Sequence, residues 1–160
     1  MTVLIIVAAQ YLVIIVGLIA VAAAVLSDRE VRNSIIKLAV LSFAIAFLIA
    51  FVAGIFYYDA HPFVIENIEP LVPHQPDNGF PSHHTLGAMV AAATIFVYRR
   101  KLGVLLGVLG LLVGIARIMA RLHYPVDIAG SVLIAIVATY LAWVVLKKFD
   151  RIFRRSPRTG

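Results

Sequence analysis

The run VLIIVAAQYLVIIVGLIAVAAAVL, Val3–Leu26, decides the fold: it has 24 residues and no formal charge. That is enough to cross the roughly 30 Å hydrocarbon core of a bilayer as a single α-helix. It does not read as a cleavable signal peptide, because it lacks a basic start and far exceeds the usual apolar core of about 7–15 residues. Four more apolar segments follow, approximately Ser34–Tyr58, His84–Tyr98, Leu102–Arg121 and Val126–Leu146. The expected connections are Ser27–Asn33, Asp59–His83, Arg99–Lys101 and Leu122–Pro125, with a tail from Lys147. Composition agrees: 62% of the 160 residues are hydrophobic and 14% charged, against about 45–50% and about 25% in soluble domains. A water-soluble globule is thereby excluded. The expected fold is an all-α, polytopic membrane helix bundle with about five transmembrane helices and a long extracytoplasmic loop. Residues 1–160 leave room for one domain only. The absence of Cys excludes disulfides, Cys-ligated zinc, iron–sulfur clusters and thiol catalysis.

The formal net charge of +6 could suggest nucleic acid, but the positions of the charges decide otherwise. Arg29, Arg32 and Lys37 flank the first connection, Arg99, Arg100 and Lys101 form the third, and Lys147, Lys148, Arg151, Arg154, Arg155 and Arg158 fill the tail. With five alternating spans these all fall on one side, which the positive-inside bias makes the cytoplasm. The basic tail 147–160 is then an anchor on anionic lipid, and no nucleic-acid partner is expected. The 25-residue loop 59–83 carries no Lys or Arg and belongs outside.

The same sorting sends every histidine outward: His61, His74 and His83 in the loop, His84 at the next helix start, His123 in the fourth connection. His74 by itself reads as an ordinary polar loop residue. Arg117 is either a snorkelling anchor or, as is usual for Arg within an apolar helix, part of a site. Asp127, just inside the last span, calls for a cationic or imidazole partner, and His123 and Arg117 are the nearest.

Two stretches carry chemistry. In Phe80-Pro81-Ser82-His83-His84-Thr85, Pro81 cannot continue a helix, Ser82 is a favoured N-cap, and both histidines fall in the first turn. Free backbone N–H groups and the positive end of the helix dipole make such a start a natural anion site. In Arg117-Ile118-Met119-Ala120-Arg121-Leu122-His123-Tyr124-Pro125-Val126-Asp127, Pro125 suits the first position of the last helix. This corner can present a guanidinium, an imidazole and a carboxylate together. A carboxylate bonded to one ring nitrogen leaves the other free to attack an electrophile, and the guanidinium fork matches phosphate oxygens.

The spacing Arg-x5-His-x3-Asp, preceded by Pro-Ser-x-His, resembles the type 2 phosphatidic acid phosphatase superfamily of membrane lipid phosphatases, nearest its bacterial undecaprenyl-diphosphatase branch. The branch's Arg-Pro-Phe, Pro-His-Ala-Pro-Asp, Phe-Pro-Ser-Asp-His and His-Tyr-Pro-x-Asp elements are met by four stretches here. These are His61-Pro62-Phe63, Pro73-His74-Gln75-Pro76-Asp77, Phe80-Pro81-Ser82-His83-His84 and His123-Tyr124-Pro125-Val126-Asp127. The likeness covers about Gly54 to Ser131. It implies that His123 is a nucleophile forming a phosphohistidine, Asp127 its orienting carboxylate, and His84 the acid for the leaving group. Arg117 and the Ser82 region would clamp phosphate. The resemblance implies no metal and no other cofactor.

Three departures stand out. His61 replaces the first element's Arg, and Gly54 stands where its Lys belongs, so two permanent charges are missing. His83, in the variable position of Pro-Ser-x-His, could restore one when protonated. Ala116 replaces Ser, and Arg121 stands where the branch usually has Gly; Arg121 either adds charge or anchors the helix end. The chain also has one span fewer than the six common in the family. The expected activity is hydrolysis of undecaprenyl diphosphate to the monophosphate and phosphate, at a site on the outer face of a prokaryotic plasma membrane. Rival readings are a phosphatidylglycerolphosphate or phosphatidic acid phosphatase using the same residues, a catalytically impaired lipid-phosphate-binding protein, and a small transporter. Clustering of polar residues at one face argues against translocation. The sequence assigns no role to Glu66 or Glu69 and leaves the oligomeric state open.

Overall fold

The computed structural model describes residues 1–155, with side chains through Arg151. The end of the basic tail, including Arg158, lies outside the described residues. Six helices follow in order: α1 Thr2–Val25, α2 Arg29–Phe56, α3 Pro62–Ile65, α4 His83–Tyr98, α5 Arg100–Met119 and α6 Pro125–Arg155. Four of them, α1, α2, α5 and α6, are long and apolar enough to cross a membrane. The protein is a multi-pass helical membrane bundle.

Helix ends differ from the expected connections. Arg29 and Arg100 already belong to helices, and the tail from Lys147 continues α6 to Arg155. Charged side chains at a span's end can reach the polar interface without ending the helix, so a charge run marks the membrane boundary rather than the helix boundary. Arg99 alone breaks the chain between α4 and α5, and its guanidinium donates to the Ser27 hydroxyl at 2.9 Å, tying two helix ends together.

The fifth apolar segment, α4, has only 16 residues, about 24 Å at a rise of about 1.5 Å per residue. It is the central helix and packs against α1, α2, α5 and α6. Surrounded by protein, it does not need to reach lipid at both ends. Its first turn lies well below the end of α2: the ring of His83 stacks on Phe47 at 5.8 Å, and Phe47 is nine residues before Phe56. The loop between α2 and α4 therefore folds down over the top of α4.

Small residues set how closely the helices approach, as is usual where lipid supplies no hydrophobic drive between them. Ala88, Ala91 and Ala92 are buried on α4. A methyl at Gly114 would lie 2.5 Å from Ile128 Cγ2, so α5 and α6 close against each other at the level of the site. One apolar cluster joins Val16, Ala23, Ile35, Ile95, Leu106 and Val113, and a second joins Ala46, Ala50, Leu86, Val90 and Ala135. A third, of Ala9, Val72, Ala116, Ala120 and Leu122, seats the loop on α1 and α5.

Candidate active site

Asn78 organises the loop. Its side-chain oxygen accepts from the N–H groups of Asp59 and Phe80, each at 3.0 Å, and its amide donates to the carbonyls of Gly54 and Tyr57 at 3.1 and 3.0 Å. Two of these four bonds fasten the loop to the end of α2, and the other two brace the loop internally. Gly79 follows because the backbone passes close by: a Cβ there would sit 3.0 Å from the Asp59 carbonyl and 3.2 Å from the His61 ring. Phe80 then packs on Gly130 of α6, where a methyl would fall 2.3 Å from the aromatic ring. The chain is thereby aimed at Ser82.

Ser82 takes the N-cap position, fully buried, as its sequence context predicts. Its hydroxyl does not cap the helix; it accepts from the Thr85 hydroxyl at 3.1 Å instead. The hydroxyl of Ser131 lies 3.0 Å from the Ser82 carbonyl and 2.7 Å from the Asp127 carbonyl, which joins the start of α4 to α6.

Asp127 is placed by the start of α6. With Pro125 first in that helix, Asp127 is the third residue, and its Oδ2 accepts the Tyr124 N–H at 2.8 Å. A carboxylate reaching back to the N-cap amide is half of a capping box. The same Oδ2 lies 3.4 Å from His123 Nδ1. On the ring's other side, Arg117 Nη2 donates to His123 Nε2 at 3.3 Å. His123, Asp127 and Arg117 are 4%, 1% and 2% exposed, so the triad sits away from bulk water. Burial, then the Arg117 charge, lower the His123 pKa against the opposing pull of Asp127. A neutral ring with Nδ1 toward Asp127 and a lone pair on Nε2 follows.

His84, half-buried in the first turn of α4, is electrostatically coupled to Arg117, His123 and His74. Three polar atoms of the triad, Arg117 Nε, His123 Nδ1 and Asp127 Oδ1, are buried without a hydrogen-bond partner. Unpaired buried polar atoms are costly, and such a concentration marks a place built for a polar guest.

His61 lies at the same corner and is 1% exposed. Its Nδ1 donates to the Leu122 carbonyl and its Nε2 to Asp77 Oδ1, the latter at 2.8 Å. Its ring meets His123 edge-on at 5.2 Å, meets His74 edge-on at 4.8 Å and stacks on Phe63 at 5.2 Å. His83 is exposed against Phe47, apart from these rings. Arg121, also exposed, pairs with Glu66 at 3.3 Å. It has φ 63°, the left-handed region that disfavours any residue but glycine.

Sequence reasoning missed three contributors. His74, read as an ordinary loop residue, joins the imidazole cluster, and burial followed by Arg117 lowers its pKa to about 4. Asp77 partners His61; its membership of Pro73-His74-Gln75-Pro76-Asp77 was the available signal. Asp59 lies beside Asp127, and partial burial followed by that neighbour's charge raises its pKa. No sequence spacing pointed to Asp59.

Comparison with known proteins gives a consistent picture. The sequence profile of the PAP2 superfamily matches residues 35–151. Undecaprenyl-diphosphatase BcrC of Bacillus subtilis (strain 168) is 32% identical over 132 residues, covering 82% of this chain and 68% of that protein. The bacitracin transport permease protein BcrC of Bacillus licheniformis is 33% identical over 122 residues, covering 74% of this chain and 60% of that one. The chain thus spans roughly two thirds or less of the length of these relatives. The crystal structure of Aquifex aeolicus LpxE aligns with a TM-score of 0.64 at 21% identity, over 79% of this chain and 84% of that one, a likeness of fold.

Proposed function

This chain belongs to the PAP2 superfamily, and from that premise we propose that it hydrolyses undecaprenyl diphosphate to the monophosphate and phosphate through a phosphohistidine on His123. It is a membrane-embedded phosphatase of PAP2 type. The observation that carries the finer reading is the buried arrangement of Arg117 Nη2 3.3 Å from His123 Nε2, with Asp127 3.4 Å from the opposite nitrogen.

The chemistry follows from those positions. The Nε2 lone pair of His123 attacks the terminal phosphorus, and the bond to the bridging oxygen breaks. His84 gives its proton to that oxygen, so polyprenyl monophosphate leaves as a stable anion. The substrate's negative charge favours the protonated form of His84 that this step needs. Asp127 supports the charge that grows on the ring, and Arg117 neutralises the phosphoryl oxygens together with the amides at the start of α4. His84, now neutral, takes a proton from water as its oxygen attacks phosphorus. The N–P bond breaks and inorganic phosphate departs. His61, 2.8 Å from Asp77 Oδ1, stands where the family has Arg.

The helix ends are walled by apolar side chains, which suits a phosphate head whose prenyl tail stays in the bilayer. The site belongs on the extracytoplasmic face of a prokaryotic plasma membrane, opposite the basic helix ends at Arg29, Arg99 and Lys147. Phosphate release from undecaprenyl diphosphate by detergent-purified protein tests this. Wild type is expected to turn over, and His123→Ala and His84→Ala to lose activity; full activity in His123→Ala rejects the assignment. Phosphatidylglycerolphosphate and phosphatidic acid assayed beside it decide the lipid, and a strong preference for either replaces the polyprenyl diphosphate.

A further inference from the structure

We propose that His61, His74 and His123 form a binding site for a divalent transition-metal ion of the Zn²⁺ class, and that the bound ion switches the enzyme off by occupying His123. One ligand nitrogen from each ring can be chosen so that all three lie within 4.8 Å of one another. Zinc–nitrogen bonds of about 2.0–2.1 Å place tetrahedral ligand atoms about 3.3 Å apart, so modest ring rotations close the set. Imidazole nitrogen suits zinc, copper, nickel and cobalt rather than magnesium or calcium.

One of the three rings, His61, already has the outer hydrogen bond that ligating histidines need, and His123 has a carboxylate close by. His61 Nδ1 donates to the Leu122 carbonyl, and His123 Nδ1 faces Asp127 at 3.4 Å. In both cases the outward nitrogen is Nε2, and fixing one nitrogen on an oxygen is how proteins orient a metal-binding imidazole. His74 is half-buried between the other two rings, with edge-on contacts to both.

An Arg at position 61 would leave only two imidazoles and put a permanent cation where the ion belongs. Arg117, 3.3 Å from His123 Nε2, opposes a second cation and makes binding weaker than at a structural zinc site. Binding displaces the Arg117 donor from His123 Nε2 and the Asp77 carboxylate from His61 Nε2. The ion and the phosphoryl group then compete for one lone pair.

The inhibitory consequence rests on the proposed role of His123, whereas binding itself can be read without any substrate. The test is titration of untagged, chelator-washed protein in detergent with Co²⁺, followed by visible absorption, and with Zn²⁺, followed by calorimetry. One equivalent is expected to bind wild type with an intense tetrahedral-type Co²⁺ band. His74→Gln and His61→Arg should each lose the band and weaken binding at least tenfold, while His83→Ala, outside the cluster, should retain both. Phosphate release from undecaprenyl diphosphate should fall with added Zn²⁺ and return with EDTA in wild type, and resist Zn²⁺ in His74→Gln. Equal binding by wild type, His74→Gln and His61→Arg overturns the site. Binding that leaves phosphate release unchanged overturns the switch. Protein that binds Co²⁺ as expected but hydrolyses no lipid phosphate removes the proposed activity while the metal site stands.

Discussion

His61 Nε2 lies 2.8 Å from Asp77 Oδ1 while Nδ1 donates to the Leu122 carbonyl, so both nitrogens of a buried ring face oxygen acceptors. A neutral imidazole has only one N–H and leaves one of these contacts without a proton; the doubly protonated ring satisfies both. The hydrogen bond from His61 lowers the Asp77 pKa even though partial burial pushes it up.

The ring of His61 lies 5.2 Å from that of His123, at the place where the family has Arg. Arg carries a permanent charge, so His61→Arg is expected to strengthen phosphate binding and lower KM. Steady-state phosphate release, with EDTA present throughout, checks this. A KM unchanged in His61→Arg takes position 61 out of phosphate binding.

Asp127 does two jobs that a single substitution can separate. Asp127→Asn keeps an oxygen able to accept the Tyr124 N–H, so the start of α6 should survive and thermal stability change by less than about 1 kcal/mol. The amide cannot support a charged His123 in the same way, and the ring is free to take the wrong tautomer. A loss of kcat of about a hundredfold or more is expected, with KM little changed. Near-normal kcat in a folded Asp127→Asn protein would show that the carboxylate is only a cap.

Much of this arrangement was legible in the sequence, and the reason is local. Uncharged runs such as Val3–Leu26 have one solution in a bilayer, a helix, and the spacing from Arg117 to Asp127 bridges a helix end, a turn and the next helix start. Groups so close in the chain can meet without knowledge of the rest of the fold. The loop is different. Asn78 reaches back to Gly54 and Tyr57 across 24 and 21 residues, and His61 meets Leu122 across 61. Such contacts depend on how the loop lies over a recessed α4, and α4 is recessed because four neighbours enclose it. Hydropathy reports that a segment is apolar, not its depth beside its neighbours. Asp59 and His74 were hidden for that reason.

Arg121 shows a backbone cost. Its φ of 63° puts a bulky residue where glycine is at ease, and its ion pair with Glu66 is exposed on both sides. The left-handed conformation costs a non-glycine residue about 1–2 kcal/mol, while a surface pair returns about 0–1 kcal/mol and glycine loses about 0.5–1 kcal/mol of chain entropy. Arg121→Gly should therefore leave stability unchanged or raise it by about 0.5 kcal/mol in thermal melts. A marked fall would show that the Glu66 pair anchors the loop more strongly than its exposure suggests.

Asn78 is the largest single point of loop attachment. Asn78→Ala removes four hydrogen bonds, each contributing about 0.5–1.5 kcal/mol net, from partly exposed groups that water can partly rescue. A loss of about 2 kcal/mol is expected, with faster amide exchange over residues 57–80 and reduced activity through displacement of Phe80 and Ser82. Wild-type exchange in that stretch would mean that the apolar seat of Val72 and Leu122 holds the loop unaided.

The loop should also be sensitive to acid. His74 has its pKa lowered from 6.5 to about 4, by burial first and then by the charges of Arg117, His61 and His123. Between those two values the unfolded chain binds a proton that the folded chain does not, so stability falls as pH falls through this window and is fully present above it. Asp77, also lowered, adds a loss at still lower pH, where its carboxylate protonates and His61 loses its acceptor. Melting in detergent at about pH 7 and about pH 5 should show a larger drop for wild type than for His74→Gln, whose side chain carries no titrating proton. Equal drops in the two proteins would assign the acid sensitivity to other groups.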